Sequence, residues 1–270
     1  MQESKTIPDL KVINALENNQ VLGYKELNAL IRQAIKEEYT NLRITNVYGQ
    51  RFIGAGLICE ESNSLQIEII GTPGNDFGIF LDGPKLIVKG NAEDQVGNTM
   101  NDGTIIIHGD CRDVTGLSMR GGKIFVKGNA GYRIGIHMKE YQSKIPTIVI
   151  GGSAKEFFGE YMAGGMLIAL GLQIEEGKVQ DLEKIVAPYV GSGIHGGTIF
   201  LRGDIPDNYL GIGAVKKPIS ESDQVKLEPI ITEFCKNFNL NTDIIWNKPF
   251  NKIFPGSHRP YAAYYTAKPI

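Results

Sequence analysis

The side chains with the widest chemistry in this chain are four histidines, His108, His137, His195 and His258, and three cysteines, Cys59, Cys111 and Cys235. Imidazole can bind a metal or move a proton near neutral pH, and a thiolate can attack or ligate. Either use needs neighbours at particular spacings. No H-x-x-x-H, H-E-x-x-H or C-x-x-C is present, so a zinc site, an iron–sulfur cluster and a disulfide framework all lack their sequence basis. The 33 glycines raise the question of a phosphate loop, yet there is no G-x-x-x-x-G-K-[ST]. Gly54-Ala55-Gly56 and Gly211-Ile212-Gly213 are G-x-G fragments without a strand before and a helix after. Ser153 and Ser192 lie outside any G-x-S-x-G elbow, and the acidic pairs Glu60-Glu61 and Glu175-Glu176 fall in expected loops. These patterns assign no catalytic, cofactor-binding or metal residue.

The glycines have another explanation. Gly90, Gly109, Gly128, Gly152 and Gly171 each end an apolar run, at spacings of 19, 19, 24 and 19 residues. The longer step holds five extra residues around Lys139–Pro146. Seven places after the leading glycine stand Gly97, Gly116, Gly135 and Gly159, and ten places after stand Met100, Met119, Met138 and Met162. Gly103, Gly122 and Gly165 fall thirteen places on, with Tyr141 in that slot beside the insertion. Aliphatic residues lie four and two places before each leading glycine, as in Leu86 and Val88, Ile105 and Ile107, and Ile124 and Val126. That alternation is strand spacing. A repeat of about 20 residues built on it predicts an all-β solenoid: a right-handed parallel β-helix of about six to seven coils, flanked by N- and C-terminal helices. Stacked coils would put the aliphatic pairs, the small residues Ala92, Cys111, Ala130 and Ala154, and the methionines in the interior.

The frame also assigns what faces outward. Asn91, Asp110, Asn129 and Ser153, just after the leading glycines, are expected to hydrogen-bond turn backbone. Lys89, His108, Lys127 and Arg202 share one outer slot, read here as a solvated basic stripe, with docking of an acidic partner as the other reading. Ile87, Ile106, Phe125, Val149, Ile168 and Phe200 form an outward apolar ladder too large for a bare surface. It needs a cover, either the chain's own helices or a partner protein. Two amphipathic stretches are available, Lys25–Tyr39 and Ser220–Asn239. In the second, Ser220 and Asp223 form a capping start and Pro229 is placed in a first turn. A short helix is expected near Leu10–Leu16 and another at Asp181–Ala187, and Trp246–Ile270 reads as an extended strap. The parts are an N-terminal cap (1–48), the glycine-repeat β-helix (49–215) and a C-terminal helix and tail (216–270), one structural domain in all.

A net charge of −2 gives no basic excess for nucleic acid, and no apolar run approaches the 18 residues of a membrane span. The N-terminus lacks a basic-then-apolar signal pattern, so a cytoplasmic location is expected.

The coils resemble the glycine-repeat (GXGXG) domain at the C-terminal end of the large subunit of glutamate synthase. The same domain occurs in formylmethanofuran dehydrogenase, as its C-subunit, and in the related formyltransferase/hydrolase complex. The matching residues are the units from Leu86 to Gly171, notably Gly159-Glu160-Tyr161-Met162-Ala163-Gly164-Gly165 with Leu170-Gly171, and Gly191-Ser192-Gly193-Ile194-His195-Gly196-Gly197. Three flanking features resemble the glutamate synthase branch: the helix at Lys25–Tyr39, the entry Gly49-Gln50-Arg51-Phe52-Ile53-Gly54, and the closing Ser257-His258-Arg259-Pro260-Tyr261. The resemblance spans about residues 20 to 265. It implies a non-catalytic structural subunit, a free-standing form of one domain, within an assembly that converts glutamine, 2-oxoglutarate and a reductant to glutamate in ammonia assimilation. FMN and iron–sulfur clusters would then sit on glutaminase-type and synthase-type partner subunits, with no cofactor and no active site in this chain. The alternatives are the C-subunit role in a formylmethanofuran or formyltransferase complex, or an independent solenoid binding module.

Overall fold

Short β-branched runs separated by glycine-rich turns can pair only with neighbours of equal length, and the repeat supplies them in series. The computed structural model describes residues 10–59, 65–175 and 178–256. The chain begins with β1 (Lys11–Asn14), a tight pair β2 (Leu16–Glu17) and β3 (Gln20–Val21), and helix α1 (Tyr24–Lys36). There follow β4 (Asn41–Tyr48), β5 (Gln66–Thr72), β6 (Lys85–Val88), β7 (Thr104–Ile107), β8 (Lys123–Val126), β9 (Thr147–Ile150) and β10 (Ala163–Ala169). Next come β11 (Leu172–Glu175), β12 (Lys178–Asp181), β13 (Gly196–Arg202) and β14 (Ala214–Pro218). The described chain ends with α2 (Glu221–Phe238), α3 (Asp243–Trp246) and β15 (Phe250–Pro255).

Eleven of these strands form one sheet in the order β1-β4-β5-β6-β7-β8-β9-β10-β13-β15-β14. Pairing is parallel from β1 through β13 and antiparallel where β15 slots between β13 and β14. The register follows the repeat: Leu86 lies beside Ile105, Ile105 beside Ile124, and Ile124 beside Ile148. Met100, Met119, Met138 and Met162 are all fully buried, and each of the last three follows its predecessor one unit on. The N–H groups of Arg120, Lys139 and Ala163 donate to the carbonyls of Met100, Met119 and Met138.

The expected closed β-helix is not what forms. The described residues form one eleven-stranded, mostly parallel sheet with two small antiparallel pairs and a few helices, an α/β-type arrangement, and the remaining sides of each unit are turns tied by isolated bridges such as Ala92–Cys111 and Ala130–Ala154. The reason is local. Between Gly90 and Gly109 the backbone has positive φ at Gln95, Gly97, Thr99 and Gly103, and a run so interrupted cannot be extended strand.

One glycine column shows what the turns achieve. Gly116 has φ +75°, and a Cβ there would stand 2.2 Å from Ile148 Cδ1, on the strand two further along the sheet. Gly78 meets Ile105 and Gly97 meets Ile124 in the same way. The glycine thus serves both the left-handed turn and the close approach of the interior aliphatic side chain.

The two faces of the sheet have different covers. Leu86, Ile105, Ile124, Ile148, Leu167 and Ile199 point into the interior enclosed by the turns, with α1 closing its N-terminal end through Leu27, Ile31 and Ala34. The outward ladder Ile106, Phe125, Val149, Ile168 and Phe200 is buried beneath Leu227, Ile230, Ile231, Phe234 and Phe238 of α2, so the chain's own helix supplies the cover. Where α2 does not reach, the outer face is polar: Arg43 of β4 pairs with Glu68 of β5 at 2.5 Å.

Helix α2 starts with a reciprocal capping box, in which Ser220 N–H donates to Asp223 Oδ2 at 2.8 Å and Asp223 N–H donates to Ser220 Oγ at 3.3 Å. Pro229 lies well inside the helix instead of in a first turn. It sits on the solvent face, where the hydrogen bond it forgoes leaves an exposed carbonyl. The expected N-terminal helix near Leu10–Leu16 is instead strand β1 with the β2–β3 pair. The helix expected at Asp181–Ala187 is replaced by the antiparallel hairpin β11–β12 just before it. Of the expected C-terminal strap, Phe250–Pro255 is strand β15, and residues 257–270, with His258 and the Ser257–Tyr261 motif, lie outside the described residues. Among the described residues, no helix is long and apolar enough to cross a membrane.

Candidate functional site

Stacked turns bring equivalent polar side chains into lines, and a groove on the described surface runs along one such line. It has a volume of about 660 Å³ and is lined by the segments Asn91–Asp94, Asp110–Asp113 and Asn129–Tyr132, with Thr72 and Lys155 at its margins.

Two hydrogen-bonded ladders run through it. In the first, Asn91 Oδ1 accepts from Asp110 N–H at 2.9 Å, Asp110 Oδ1 from Asn129 N–H at 2.6 Å, and Asn129 Oδ1 from Ser153 N–H at 2.9 Å. Asn91, Asp110 and Asn129 fill the expected turn-bonding role, whereas the Ser153 hydroxyl donates to Asn129 Oδ1 at 2.9 Å instead of bonding backbone. In the second, Asp94 Oδ1 accepts from Asp113 N–H at 3.1 Å, and Asp113 Oδ1 from Tyr132 N–H at 3.0 Å. Sequence reading missed this second ladder, although its signal was there: all three residues stand four places after a leading glycine. Each turn has N–H groups that no strand partner can satisfy, and a side chain one unit back supplies the acceptor.

The rest of the groove is quiet chemically. Cys111 is buried at its floor, and burial pushes its thiol up to about 12, far from a reactive thiolate. Arg112 pairs with Glu93 at 3.1 Å, and the Lys155 ammonium lies 4.8 Å from the centre of the Tyr132 ring. None of the described histidines lines it.

The three described histidines stand apart from one another. His108 Nε2 is 3.0 Å from Lys89 Nζ, and its ring meets Phe238 edge-on at 5.3 Å. His137 stacks on Tyr161 at 5.4 Å, and His195 is exposed beyond the methionine column. Among the described residues, no group of three or more His, Cys, Asp or Glu side chains stands where it could hold a metal ion.

The basic stripe is shorter than its spacing implied. Lys89, His108 and Lys127 do follow one another, each one residue past the end of β6, β7 and β8, and their N–H groups donate to Ile69, Val88 and Ile107. Arg202 leaves the stripe: it is the largest fully buried side chain among the described residues. Its guanidinium donates to the carbonyls of Leu170, Ile244 and Ile245 and to Asn247, and pairs with Asp181 at 2.7 Å. Hairpin β11–β12 and helix α3, neither expected at these positions, fold over it and turn a surface residue into a clamp.

Among the described residues, the groove's side chains can bind and position but bring no nucleophile to a base. Comparison with known proteins bears on which binding role that is. The model of the GXGXG motif family matches residues 24–255. The chain is also 51% identical over 250 residues to the uncharacterized protein MJ1350 of Methanocaldococcus jannaschii, an alignment covering 91% of this chain and 94% of that protein. The chain belongs to the GXGXG motif family.

Proposed function

We infer that this chain is a structural subunit, without an active site of its own, of a glutamate-synthase-type assembly that makes glutamate from glutamine, 2-oxoglutarate and a reductant. In that assembly the reaction belongs to glutaminase-type and synthase-type partners, which hold the FMN and iron–sulfur clusters, in the cytoplasm and in the service of ammonia assimilation. The single observation that carries this reading is the family match, a glutamate-synthase-like domain extending from residue 24 to residue 255. A relative of almost the same extent supports it, because the alignment covers 94% of that protein. The physical character of the molecule fits the role. Several side chains of reactive type serve structure: Cys111 is buried, Arg202 ties β12 to α3, and the Asn91–Ser153 ladder bonds the turns.

The test is co-purification of the tagged chain from native extract, with identification of what accompanies it. Glutaminase-type and FMN/iron–sulfur subunits in stoichiometric amounts are expected, and the chain purified alone should be colourless and inactive with glutamine, 2-oxoglutarate and NADPH. Flavin or iron bound stoichiometrically to the isolated chain, or molybdopterin or amidohydrolase subunits accompanying it, would overturn the reading.

A further inference from the structure

We propose that a second copy of this chain docks, in a two-fold dimer, on the turned side of the repeat that carries the second glycine of each unit. Residues five, eight and nine places after the leading glycine face outward here, because those six and ten places on, such as Ile134 and Met138, are fully buried. Backbone hydrogen bonds stack this side in register: Thr99 N–H donates to the carbonyl of Leu117, Ser118 N–H to that of Ile136, and His137 N–H to that of Glu160. Val114, Leu117, Ile136 and Phe157 therefore share one side, each half-buried, and they join neither of the two apolar cores.

Two tyrosines extend the same side. Tyr161 and Tyr189 are 44% and 52% exposed, with Tyr161 stacked on His137 at 5.4 Å and Tyr189 on Phe157 at 4.9 Å. A contiguous row of aliphatic and aromatic side chains outside any core is the mark of a protein-binding surface, whereas scattered apolar exposure is ordinary.

The charges on the two rims select the occupant. Asp94, Asp113 and Glu156, four places after a leading glycine, run along one edge, and each keeps a carboxylate oxygen without a partner among the described residues. Arg120 and Lys139, eleven places after, run along the other edge, exposed and without an ion pair among the described residues. Charges of the other sign beside these rows are engaged: Arg112 pairs with Glu93, Arg133 with Glu160, Lys155 lies against Tyr132, and Glu140 accepts Gly165 N–H at 2.8 Å. An apolar face with one acidic and one basic edge complements the same face of a second copy. A two-fold axis along the stack lays each acidic row against the partner's basic row, and a two-fold across the stack would set like charges together. The chain's own residues 257–270 hold Arg259 and Lys268 and no Asp or Glu, so they would match only one of the two edges. Such a dimer neither needs nor excludes the assembly proposed above.

Sedimentation equilibrium of the full chain over a concentration series tests this directly. A monomer–dimer equilibrium is expected, weaker at high salt because the rim pairs are screened. Leu117→Glu, which puts a charge in the middle of the contact, should weaken the dimer about tenfold or more, with circular dichroism reporting whether the fold is kept. Lys139→Glu and Glu156→Lys, both surface changes, should each weaken it, and the two together should restore it, because the facing charges are then exchanged. The proposal is overturned by a monomer at every concentration, whether the face is then bare or covered by residues 257–270 or by a different protein. It is equally overturned by a dimer that a folded Leu117→Glu leaves unchanged, or by a double variant that associates no better than either single one.

Discussion

Replacing Gly116 by alanine tests how the repeat holds itself together. The added methyl group meets two separate costs. At φ +75° an L-residue sits in the left-handed region, which costs about 1–2 kcal/mol. The new Cβ would also lie 2.2 Å from Ile148 Cδ1 and only 3.5 Å from its Cγ1, against a normal carbon–carbon contact of about 3.5–4.0 Å. Forcing that overlap apart in a packed interior costs about 1–3 kcal/mol more. The single change should therefore destabilise by about 2–5 kcal/mol. Ile148→Val alone should cost about 0.5–1.5 kcal/mol, because it removes the one methyl group that Gly116 approaches. In the double variant that methyl is gone and the alanine fills part of the space it left, so only the backbone cost should remain. The pair should thus be more stable than the sum of its parts by about 1.5–4.5 kcal/mol, the relieved overlap plus the refilled space. Urea unfolding followed by far-ultraviolet circular dichroism, with the single tryptophan, Trp246, as a fluorescence probe, measures all four corners of the cycle. Simple additivity would refute the stacking argument, because Gly116 and Ile148 would then not be touching across two strands.

Three further outcomes are expected. Arg202→Met should cost at least about 1–3 kcal/mol, since it leaves the carbonyls of Leu170, Ile244 and Ile245 without the donor they now have, while the part-exposed Asp181 keeps its pair with Lys248, and thermal unfolding measures the loss. Burial alone would raise the Asp223 carboxyl, but Lys252 and the Ser220 hydrogen bonds hold it down to about 2. Because the folded value is depressed, the stability it contributes is present above about pH 4, the unfolded value, and is lost as the pH falls toward 2. Thermal melts across that window should show a smaller acid-induced fall for Asp223→Asn than for the parent. Burial also raises the thiols of Cys111 and Cys235, to about 12 and about 11, so a disulfide reagent at pH 8 should label Cys59 first and the other two only after unfolding. Mass spectrometry of the labelled peptides reads the order directly.

The repeat was legible in the sequence because its period is written in residue types that do not substitute for one another. Only glycine tolerates the left-handed turn against Ile148, and only flexible or aliphatic side chains fill the column of Met100, Met119, Met138 and Met162. From those residues followed the register of the strands, the buried interior, the turn-bonding Asn91–Ser153 ladder and both long helices. Family membership was likewise carried by linear motifs. The same residues could not settle how each unit closes. Strand pairing is a property of backbone angles as well as side chains, and the positive-φ positions at Gln95 and Thr99 carry no glycine to announce them. Only the folded chain showed one mostly parallel sheet with turned sides in place of a closed β-helix.

Tertiary structure also decided what the outward residues do. Spacing placed Arg202 in line with Lys89 and His108, yet β11–β12 and α3, distant in sequence, fold over it and bury it. The outward ladder of Ile106, Phe125 and Phe200 looked the same whether a partner or the chain's own helix covered it, and the packing of Phe234 and Phe238 of α2 made the choice. Periodicity along the chain fixes which side chains stack on their own kind. Which foreign segment lands on the stack is set by contacts more than a hundred residues apart, such as Lys123 with Glu233, and no local pattern encodes them.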